Sequence, residues 1–311
     1  MRSTRDAYGE QLVIVGERRP DVFAVDADLS CSTMTGKFAA KFPARFVNVG
    51  CSEQDLMGTA AGLAIGGKCV FASTHSSFAT GRPWEQIRST IAHDNLNVKI
   101  AATHAGLTNS VDGYTHHSME DIAIMRAIPN MGVVVPADYF EAKAAVDAIA
   151  EAKGPFFLRL SRTKTPLIFN EAYKLDLKRM SPVLENGTDC LVVATGIMVA
   201  EAMSAAKELE QQGIRITVLN ASVIKPLDRD TLIRQAKSCG AVVTAEEHSI
   251  IGGLGSAVAE TLSEEYPVVV KRVGLKDRFT SSGSCEDLYK AYGLTKSDIA
   301  LAIRGVVIKK K

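Results

Sequence analysis

Residues 45–73 read RFVNVGCSEQDLMGTAAGLAIGGKCVFAS. A β-rich run at Arg45–Val49 precedes the Ala- and Leu-rich stretch Glu53–Ile65, which is typical of a helix, and a second β-rich run follows at Lys68–Ser73. A strand, a helix and a strand in this order form a unit in which the helix crosses the face of the sheet and the strands run parallel. The stretch therefore predicts an α/β fold built on a parallel sheet.

The alternation of strands and helices continues on both sides of this unit. In the first half we predict strands at Val22–Val25, Val98–Thr103, Gly132–Val135 and Phe156–Leu160, and helices at Pro83–Ala92, Met119–Ala127 and Phe140–Glu151. In the second half we predict strands at Leu191–Ala194, Ile216–Leu219, Ala241–Thr244 and Val268–Val273, and helices at Val199–Gln212, Asp228–Ser238, Leu254–Glu264 and Lys296–Gly305. This pattern indicates two consecutive domains, each a mostly parallel sheet flanked by helices.

A segment with Pro166, Pro182, Asn186 and Gly187 interrupts the alternation. We therefore predict a first domain at residues 1–165, a linker at 166–188 and a second domain at 189–311. Two domains agree with a length of 311 residues, since a domain commonly has about 150. The three terminal lysines are expected to be a solvated end.

The composition excludes several classes of protein. Hydrophobic residues make up 46% and charged residues 23%, and 36 basic against 35 acidic residues give a net charge of +1. This balance argues against a protein that holds nucleic acid by bulk charge. The sequence contains no apolar run long enough to span a membrane and no signal peptide. Its six cysteines form no CxxC pair, which favours free thiols in a reducing, cytoplasmic compartment.

Two glycine patterns are open to interpretation. Gly58 and Gly62 lower the intrinsic stability of the helix at Glu53–Ile65, and we expect them to permit close packing. Gly252-Gly253-Leu254-Gly255 opens another predicted helix, where the glycines could bind an anion or serve packing and turn geometry; we favour packing. The sequence contains no P-loop, GxGxxG or GxSxG motif, so it gives no sign of those nucleotide or nucleophile sites.

Histidines are concentrated in the first domain, where five of the six occur at positions 75, 93, 104, 116 and 117. Several follow predicted strand ends, and the loops after parallel strands are where ligands commonly bind. The cluster therefore supplies candidates for acid–base work, although a single histidine is often a core or surface residue. The spacings match no metal-binding motif and no cysteine lies nearby, so we expect no metal ligands.

Several ordered motifs resemble those of transketolase. Asn48–Gln54 (NVGCSEQ) looks like N-x-G-x-x-E-Q, and Thr103-His104 with Asp112–His116 (DGYTH) is similar to T-H-x-x…D-G-x-T-H-Q. Further matching stretches are Ile128–Met131, Pro136–Asp138, Leu160–Arg162 and Glu246–Gly253. Residues 1–305 therefore resemble the pyrimidine-binding and C-terminal domains of the family, which implies a thiamine-diphosphate-binding domain followed by a transketolase C-terminal-like domain.

The Gly-Asp-Gly…Asn motif by which full-length transketolases hold Mg²⁺ and the diphosphate is absent, so the sequence resembles the C-terminal subunit of a split transketolase. The resemblance implies a thiamine-diphosphate-dependent transferase that moves a two-carbon ketol unit from a ketose phosphate to an aldose phosphate. It also implies a separate N-terminal subunit that holds the diphosphate and Mg²⁺ or Ca²⁺. This chain is then expected to form the dimer core of an α2β2 heterotetramer.

The resemblance carries over to individual cofactor-binding residues. Glu53 matches the glutamate that hydrogen-bonds the pyrimidine ring, although a glutamate in a first helical turn is also favoured by the helix dipole alone. Phe78 matches the aromatic residue that packs on the pyrimidine, and His75 stands where a second aromatic residue, usually Phe, is common. Asp28 is expected near the cofactor or the subunit interface.

Six residues match the family's substrate site. The resemblance implies that they are Arg5, Ser32, His104, Asp112, His116 and Arg162. The arginines and the serine match binders of the phosphate group, since the guanidinium fork binds two oxygens at once. The histidines match groups that hydrogen-bond hydroxyls of the donor or its phosphate end, and the aspartate matches a group that binds a hydroxyl of the ketose. Glu53, His104 and His116 are the predicted catalytic residues.

Three positions depart from the family pattern. Besides His75, Val111 stands where Glu is common and His117 replaces the usual Gln. These departures leave the substrate open. Two alternatives also remain: a β-type subunit of another thiamine enzyme, such as a 2-oxo acid dehydrogenase, and a non-catalytic partner or regulator of a thiamine enzyme.

Overall fold

The computed structural model describes residues 1–310, so Lys311, the end of the predicted solvated tail, lies outside the described residues. The chain folds into a seven-stranded sheet, a five-stranded sheet and a two-stranded ladder, with helices packed on the sheets. The predicted α/β class is confirmed.

The strands are β1 (Arg2–Ser3), β2 (Val22–Asp26), β3 (Phe46–Asn48), β4 (Cys69–His75), β5 (Val98–Thr103), β6 (Gly132–Val134), β7 (Phe156–Arg159), β8 (Lys164–Thr165), β9 (Ser181–Glu185), β10 (Cys190–Ala194), β11 (Ile216–Asn220), β12 (Val223–Lys225), β13 (Ala241–Ser249) and β14 (Val269–Leu275). The α-helices are α1 (Thr4–Arg18), α2 (Ser30–Thr33), α3 (Gly36–Lys41), α4 (Glu53–Ile65), α5 (Ser76–Gly81), α6 (Trp84–Gln86), α7 (Asp121–Ala127), α8 (Tyr139–Glu151), α9 (Met198–Glu210), α10 (Arg229–Cys239), α11 (Leu254–Glu265), α12 (Cys285–Tyr292) and α13 (Lys296–Lys310). Short 3-10 helices lie at Pro43–Arg45 and Leu107–Asp112, and a π-helical segment at Ile87–Ala92 continues α6.

The seven-stranded sheet has the order β12-β6-β7-β5-β4-β2-β3, and its pairs are parallel except for β12 with β6. All seven residues of β4 and all six of β5 are buried, as expected for parallel strands covered on both faces. Since parallel strands end at one edge, the loops after β2, β3, β4, β5 and β7 lie together. These loops, or the helices that follow them, carry Asp28, Glu53, Phe78, His104 and Arg162.

The five-stranded sheet has the order β14-β13-β10-β11-β9. Its first strand by sequence, β9, lies within residues 166–188, which we predicted to be a linker, and pairs antiparallel with β11. The residues of β9 are only partly buried, so they lack the apolar run that marks the central strands. Part of the predicted linker is therefore an edge strand, and the domain boundaries stay a prediction.

Helix α1 and strand β12 are among the further elements that have no counterpart in the sequence-based prediction. Helix α1 spans Thr4–Arg18, and the Ser3 hydroxyl caps it by accepting a hydrogen bond from the Asp6 amide at 3.2 Å. Ser-x-x-Asp at a helix start is a recognisable capping pattern. Strand β12 follows the second-half strand β11 but joins the seven-stranded sheet beside β6. The two halves therefore share strands, which a local pattern does not reveal.

The two glycine patterns have different outcomes. In α4, nothing lies within 4 Å of a Cβ built at Gly58 or Gly62, and both residues are exposed. The expectation of close packing is therefore wrong within this chain. At the start of α11, the Glu246 carboxylate accepts hydrogen bonds from the Leu254 and Gly255 amides at 2.7 and 2.8 Å. The helix N-terminus is filled by a carboxylate of the same chain, which agrees with a packing role.

None of the helices within residues 1–310 combines the length and the apolar character needed to cross a membrane.

Gly252→Ala should destabilise the fold. Gly252 has a φ of +78°, and an added Cβ would lie 2.6 Å from the Ala123 Cβ. The left-handed backbone and the clash together should lower the free energy of unfolding by about 1–3 kcal/mol, measured by urea denaturation. The matched control is Gly305→Ala, where nothing lies within 4 Å and φ is ordinary. That variant should be neutral or slightly more stable, and an equal loss in both would contradict the account.

Candidate active site

Strands β4 and β5 bring two of the predicted histidines together. The strands are parallel, with His75 in register with Thr103, so His104 follows directly beside it. The His75 and His104 rings stack with centroids 3.9 Å apart. Phe78 lies 5.7 Å from the His75 ring, and His116 meets Phe78 edge-on at 5.1 Å. We call these four side chains the aromatic cluster.

The hydrogen bonds of His104 define its protonation. Arg5 Nη1 lies 3.0 Å from His104 Nε2, and the Thr103 hydroxyl lies 2.9 Å from Nδ1. Because a guanidinium only donates, Nε2 accepts, and the ring proton sits on Nδ1 facing Thr103. Burial, followed by the neighbouring His75 and Arg5, lowers the pKa of His104 to about 2. His104 is therefore a neutral side chain held in one tautomer.

Arg5 and Arg162 flank His104 on one side of the cluster. The ladder of β1 with β8 pairs Arg2 with Thr165, and the Arg5 amide donates to the Ser161 carbonyl at 3.4 Å. Burial and the nearby Arg162 guanidinium lower the pKa of Arg5. Neither arginine forms an ion pair with a carboxylate anywhere in residues 1–310. Two cations without a carboxylate partner form a site suited to an anion.

His75 is the other histidine of the stacked pair, and its side chain is only 8% exposed. Neither of its ring nitrogens has a hydrogen-bond partner among the described residues. Burial, followed by the neighbouring His116, lowers the pKa of His75 to about 4. The ring is therefore neutral at pH 7 and offers one N–H donor and one acceptor nitrogen.

Glu53 begins α4 and is 5% exposed. Both of its carboxylate oxygens accept from Arg82 Nη1 at 3.0 Å. The Arg82 guanidinium lies over the Phe78 ring, 3.9 Å from its centroid. Arg82 thus joins the predicted catalytic carboxylate to the predicted pyrimidine platform. Sequence reasoning missed Arg82, and the signal was its position four residues after Phe78, at helical spacing.

The loop from Ser110 to His117 carries Asp112 and His116 between the two halves of the chain. His117 Nε2 lies 3.0 Å from the Ser110 carbonyl, which only accepts, so the ring proton sits on Nε2. Its Nδ1 then accepts from the Thr280 hydroxyl at 2.7 Å. His117, noted as a departure from the family, therefore fixes the loop to the second half. Val111, the other departure in this loop, is 65% exposed.

Two predicted site residues, Asp28 and Ser32, make no side-chain contact with the aromatic cluster in the hydrogen bonds described. Asp28, at a φ of +63°, exchanges hydrogen bonds with the Asn48 side chain at 3.0 and 3.1 Å, so it lies beside the NVGCSEQ turn. Ser32 contributes its backbone carbonyl, which accepts from Arg5 Nη1 at 3.2 Å. The structure therefore brings Glu53, His75, Phe78, His104 and His116 close together, whereas Asp28 lies at the rim.

A buried ion network anchors this region. Arg159 Nε donates to Asp121 at 2.7 Å, and Arg159 Nη2 donates to the Ser118 and Glu247 carbonyls at 3.1 and 2.9 Å. The Glu247 carboxylate accepts from the Leu107 amide at 2.8 Å. Burial raises the pKa of Glu247 to about 7. The Glu246-Glu247-His248 stretch of β13 thus binds the two halves to each other beside the active-site loop.

Within residues 1–310, no group of three or more His, Cys, Asp or Glu side chains is placed to hold a metal ion.

Comparison with known families assigns the chain. Residues 1–167 match the family described as the transketolase pyrimidine binding domain, and residues 181–299 match the transketolase C-terminal domain. The chain belongs to the transketolase family. The resemblance inferred from the sequence motifs is therefore confirmed, as is the two-domain α/β class.

Known relatives match this chain over nearly its whole length. A putative transketolase C-terminal section from Methanocaldococcus jannaschii is 45% identical over 304 residues, covering 97% of this chain and 95% of the relative. A 6-deoxy-6-sulfo-D-fructose transketolase subunit from Clostridium sp. is 41% identical over 306 residues, covering 98% and 95%. A solved split-gene transketolase, described as an inactive β4 tetramer, has a TM-score of 0.91 at 48% identity and covers 100% of this chain and 99% of that one. This transketolase-family chain is thus similar to subunits of split transketolases.

Acidification should remove stability that His75 and His104 contribute to this transketolase-family chain. The pKa of His75 is lowered to about 4 and that of His104 to about 2, whereas unfolded histidine titrates near 6.5. At these two positions the unfolded chain binds more protons than the folded one below about pH 6.5, so the stability that the pair contributes is full above that pH and falls as the pH drops. At pH 5.5 the loss should be about 1 kcal/mol for each of the two histidines, measured by urea denaturation at pH 7.5 and 5.5.

The double variant His75→Phe/His104→Asn should lack this loss, so its free energy of unfolding relative to the wild type should rise by about 2 kcal/mol between pH 7.5 and pH 5.5. The control His93→Asn removes a histidine that is 79% exposed and should leave the dependence intact. An unchanged pH dependence in the double variant would refute the role of the stacked pair.

Proposed function

We propose that this chain is one subunit of a two-chain transketolase that uses thiamine diphosphate to transfer a two-carbon ketol unit from a ketose phosphate to an aldose phosphate. The observation that carries the proposal is the conjunction of a buried carboxylate at Glu53, an aromatic platform at Phe78, and two guanidiniums without carboxylate partners at Arg5 and Arg162. The first pair suits a pyrimidine ring, and the second pair suits a phosphate.

The residues present fit the cofactor's pyrimidine ring. Phe78 offers an aromatic ring, one face of which is covered by the Arg82 guanidinium. The buried carboxyl of Glu53 lies beside that guanidinium. The family is thiamine diphosphate dependent, and the bound cofactor supplies an electron sink for cleavage of a carbon–carbon bond. We propose that Glu53 holds or shares a proton with the pyrimidine nitrogen once Arg82 has released its carboxylate. Asp28 would lie at the edge of the same site.

Substrate would be held by residues of the aromatic cluster together with the neighbouring Arg5 and Arg162. Arg5 Nε has no acceptor among the described residues although it is buried, and Arg162 is exposed next to it. An anionic group would supply the missing acceptors, with Ser32 at the same end. His104, Asp112 and His116 would then hydrogen-bond the hydroxyls of the sugar, so that substrates lacking those hydroxyls are rejected.

A second chain would complete the site. Subunits of split transketolases imply a separate N-terminal partner, and we propose that this partner holds the diphosphate and Mg²⁺ or Ca²⁺. The exposed face of α4, with Gly58, Gly62 and Ile65, lies on the same helix as Glu53 and is a candidate contact for a second copy of this chain. A dimer of this chain with two partner chains would give an α2β2 assembly.

The deciding experiment is a ketol-transfer assay with a ketose phosphate, an aldose phosphate, thiamine diphosphate and Mg²⁺. This chain is assayed alone and after co-purification with a partner chain that contains the Gly-Asp-Gly…Asn motif. Transfer only in the mixture supports the proposal. A well-formed complex without transfer would refute it for those sugars.

Glu53→Gln should lower kcat by about two to four orders of magnitude, since removal of an essential proton-transfer group has effects of this size. The variant should still fold and join the partner, because the amide keeps the size of the carboxyl. The matched control is Glu210→Gln, the same change at an exposed glutamate at the end of α9, which should retain activity. Near-normal turnover of Glu53→Gln in the complex would exclude the proposed role.

Arg162→Ala should raise KM for a phosphorylated donor by about tenfold or more, because a charge-assisted hydrogen bond contributes about 1.5–3 kcal/mol. KM for an unphosphorylated ketose should change little. The control Arg179→Ala replaces another exposed arginine and should affect neither donor. Equal effects of Arg162→Ala on both donors would remove its phosphate role.

A further inference from the structure

His75 stands out among the active-site residues because its polar atoms are buried and unused. Its side chain is 8% exposed, and both ring nitrogens lack a partner among the described residues. Burying a hydrogen-bonding group without a partner costs free energy, so such groups are rare in folded proteins. In a ligand site, an unpartnered buried group points to an interaction that a bound molecule completes.

The neighbours of His75 leave no protein group to satisfy it. One neighbour is His104, stacked at 3.9 Å, whose own nitrogens are taken by Arg5 and Thr103. Phe78 lies 5.7 Å away and offers only a ring, and the His116 ring lies 6.4 Å away, with its Nδ1 at 3.0 Å from the Thr115 hydroxyl. The partner that His75 lacks must therefore come from outside these side chains.

The position of His75 indicates which ligand that partner belongs to. The His75 ring lies between Phe78 and His104. Phe78 is the proposed platform for the pyrimidine, and His104 is hydrogen-bonded to Arg5, which belongs to the proposed phosphate site. A donor substrate must reach from the reacting carbon at the cofactor to the anion end. Its polyhydroxylated chain therefore has to pass the His75 ring.

We infer that His75 is a specificity-determining residue of this chain, whose imidazole hydrogen-bonds a hydroxyl group of the donor substrate. The inference rests on the proposed function and deepens it. A neutral imidazole has one donor and one acceptor, and a hydroxyl group has both as well, so either tautomer satisfies the pair. A phenylalanine in the same place would stack equally well and bind no hydroxyl. The low pKa of His75 agrees with a neutral ring at pH 7.

The inference distinguishes this residue from the rest of the cluster. A site that hydrogen-bonds a substrate hydroxyl discriminates strongly against the analogue that lacks it, because the buried protein group is then left unpaired. His75 would thus select donors with a hydroxyl at one chain position. Glu53 and Phe78, by contrast, would serve the cofactor and act on every donor alike.

The test uses the complex of this chain with its partner and three variants. His75→Phe keeps the ring and removes the nitrogens, His75→Asn keeps a donor and an acceptor, and the control His93→Phe makes the same change at a histidine that is 79% exposed. Donor KM and kcat are measured for a ketose phosphate and for analogues that each lack one hydroxyl. The affinity for thiamine diphosphate is measured separately, without substrate, by calorimetry.

The expected result has three parts. His75→Phe raises donor KM by about tenfold or more, leaves the cofactor affinity within about twofold, and His75→Asn recovers part of the loss. One deoxy analogue is used poorly by the wild type, and His75→Phe no longer distinguishes that analogue from the parent donor. His93→Phe behaves as the wild type.

Two results would overturn the inference. If His75→Phe weakens cofactor binding and leaves donor KM and the analogue pattern unchanged, the imidazole serves the cofactor. If neither affinity nor analogue pattern changes, no ligand uses the nitrogens. Failure of the proposed function would be recognised separately from failure of this inference. If the proposed function is wrong, the wild-type complex itself shows no ketol transfer, whatever the His75 variants do. In that case, the shift in unfolding temperature that the donor phosphate induces in wild type, His75→Phe and His75→Asn still decides whether the imidazole binds it.

Discussion

The guanidinium of Arg159 is the interaction on which the active-site region depends. It is 6% exposed and lies between the carboxylates of Asp121 and Glu247, while also donating to the Ser118 carbonyl. A charge in such a place is tolerated only when it is paired and fully hydrogen-bonded. Because Asp121 starts α7 and Glu247 belongs to β13, the same cation fixes both halves of the chain. The loop that carries His116 is held on one side through the Ser118 carbonyl and on the other through the Leu107 amide.

In contrast, the aromatic cluster and the two arginines beside it contain polar groups for which the chain supplies no partner. Arg5 and Arg162 lie close together and neither forms an ion pair with a carboxylate, and His75 buries two unpartnered nitrogens. Each feature costs stability in the free chain, and each can be relieved by a bound molecule. The network at Arg159, by contrast, pairs its charged groups within the chain. Stability and binding are thus assigned to adjacent but separate sets of residues.

Prediction from sequence succeeded where the signal is local and strong. The helix Glu53–Ile65 has the predicted bounds, because an acidic first turn and an Ala-rich run define a helix without help from distant residues. The central strands were found because they are continuous apolar runs. The edge strands β9 and β12 were not predicted, because each contains both polar and apolar residues and pairs with a strand that is distant in sequence. The role of Arg82 was missed for a related reason, because the carboxylate that it binds, Glu53, lies in a different helix.

The sequence by itself determined the α/β class, the family and the set of candidate residues, because these depend on periodicity and on short motifs that keep their order. Only the tertiary structure decided which of those residues meet. It stacked His75 on His104 through the register of β4 and β5, and it placed Asp28 at the rim beside Asn48. It also showed that both ring nitrogens of His117 bond to the chain itself, one to Thr280 and one to the Ser110 carbonyl, so that His117 holds the loop in place. Register, burial and hydrogen-bond direction are properties of residues far apart in the chain, and they exist only once the sheets have formed.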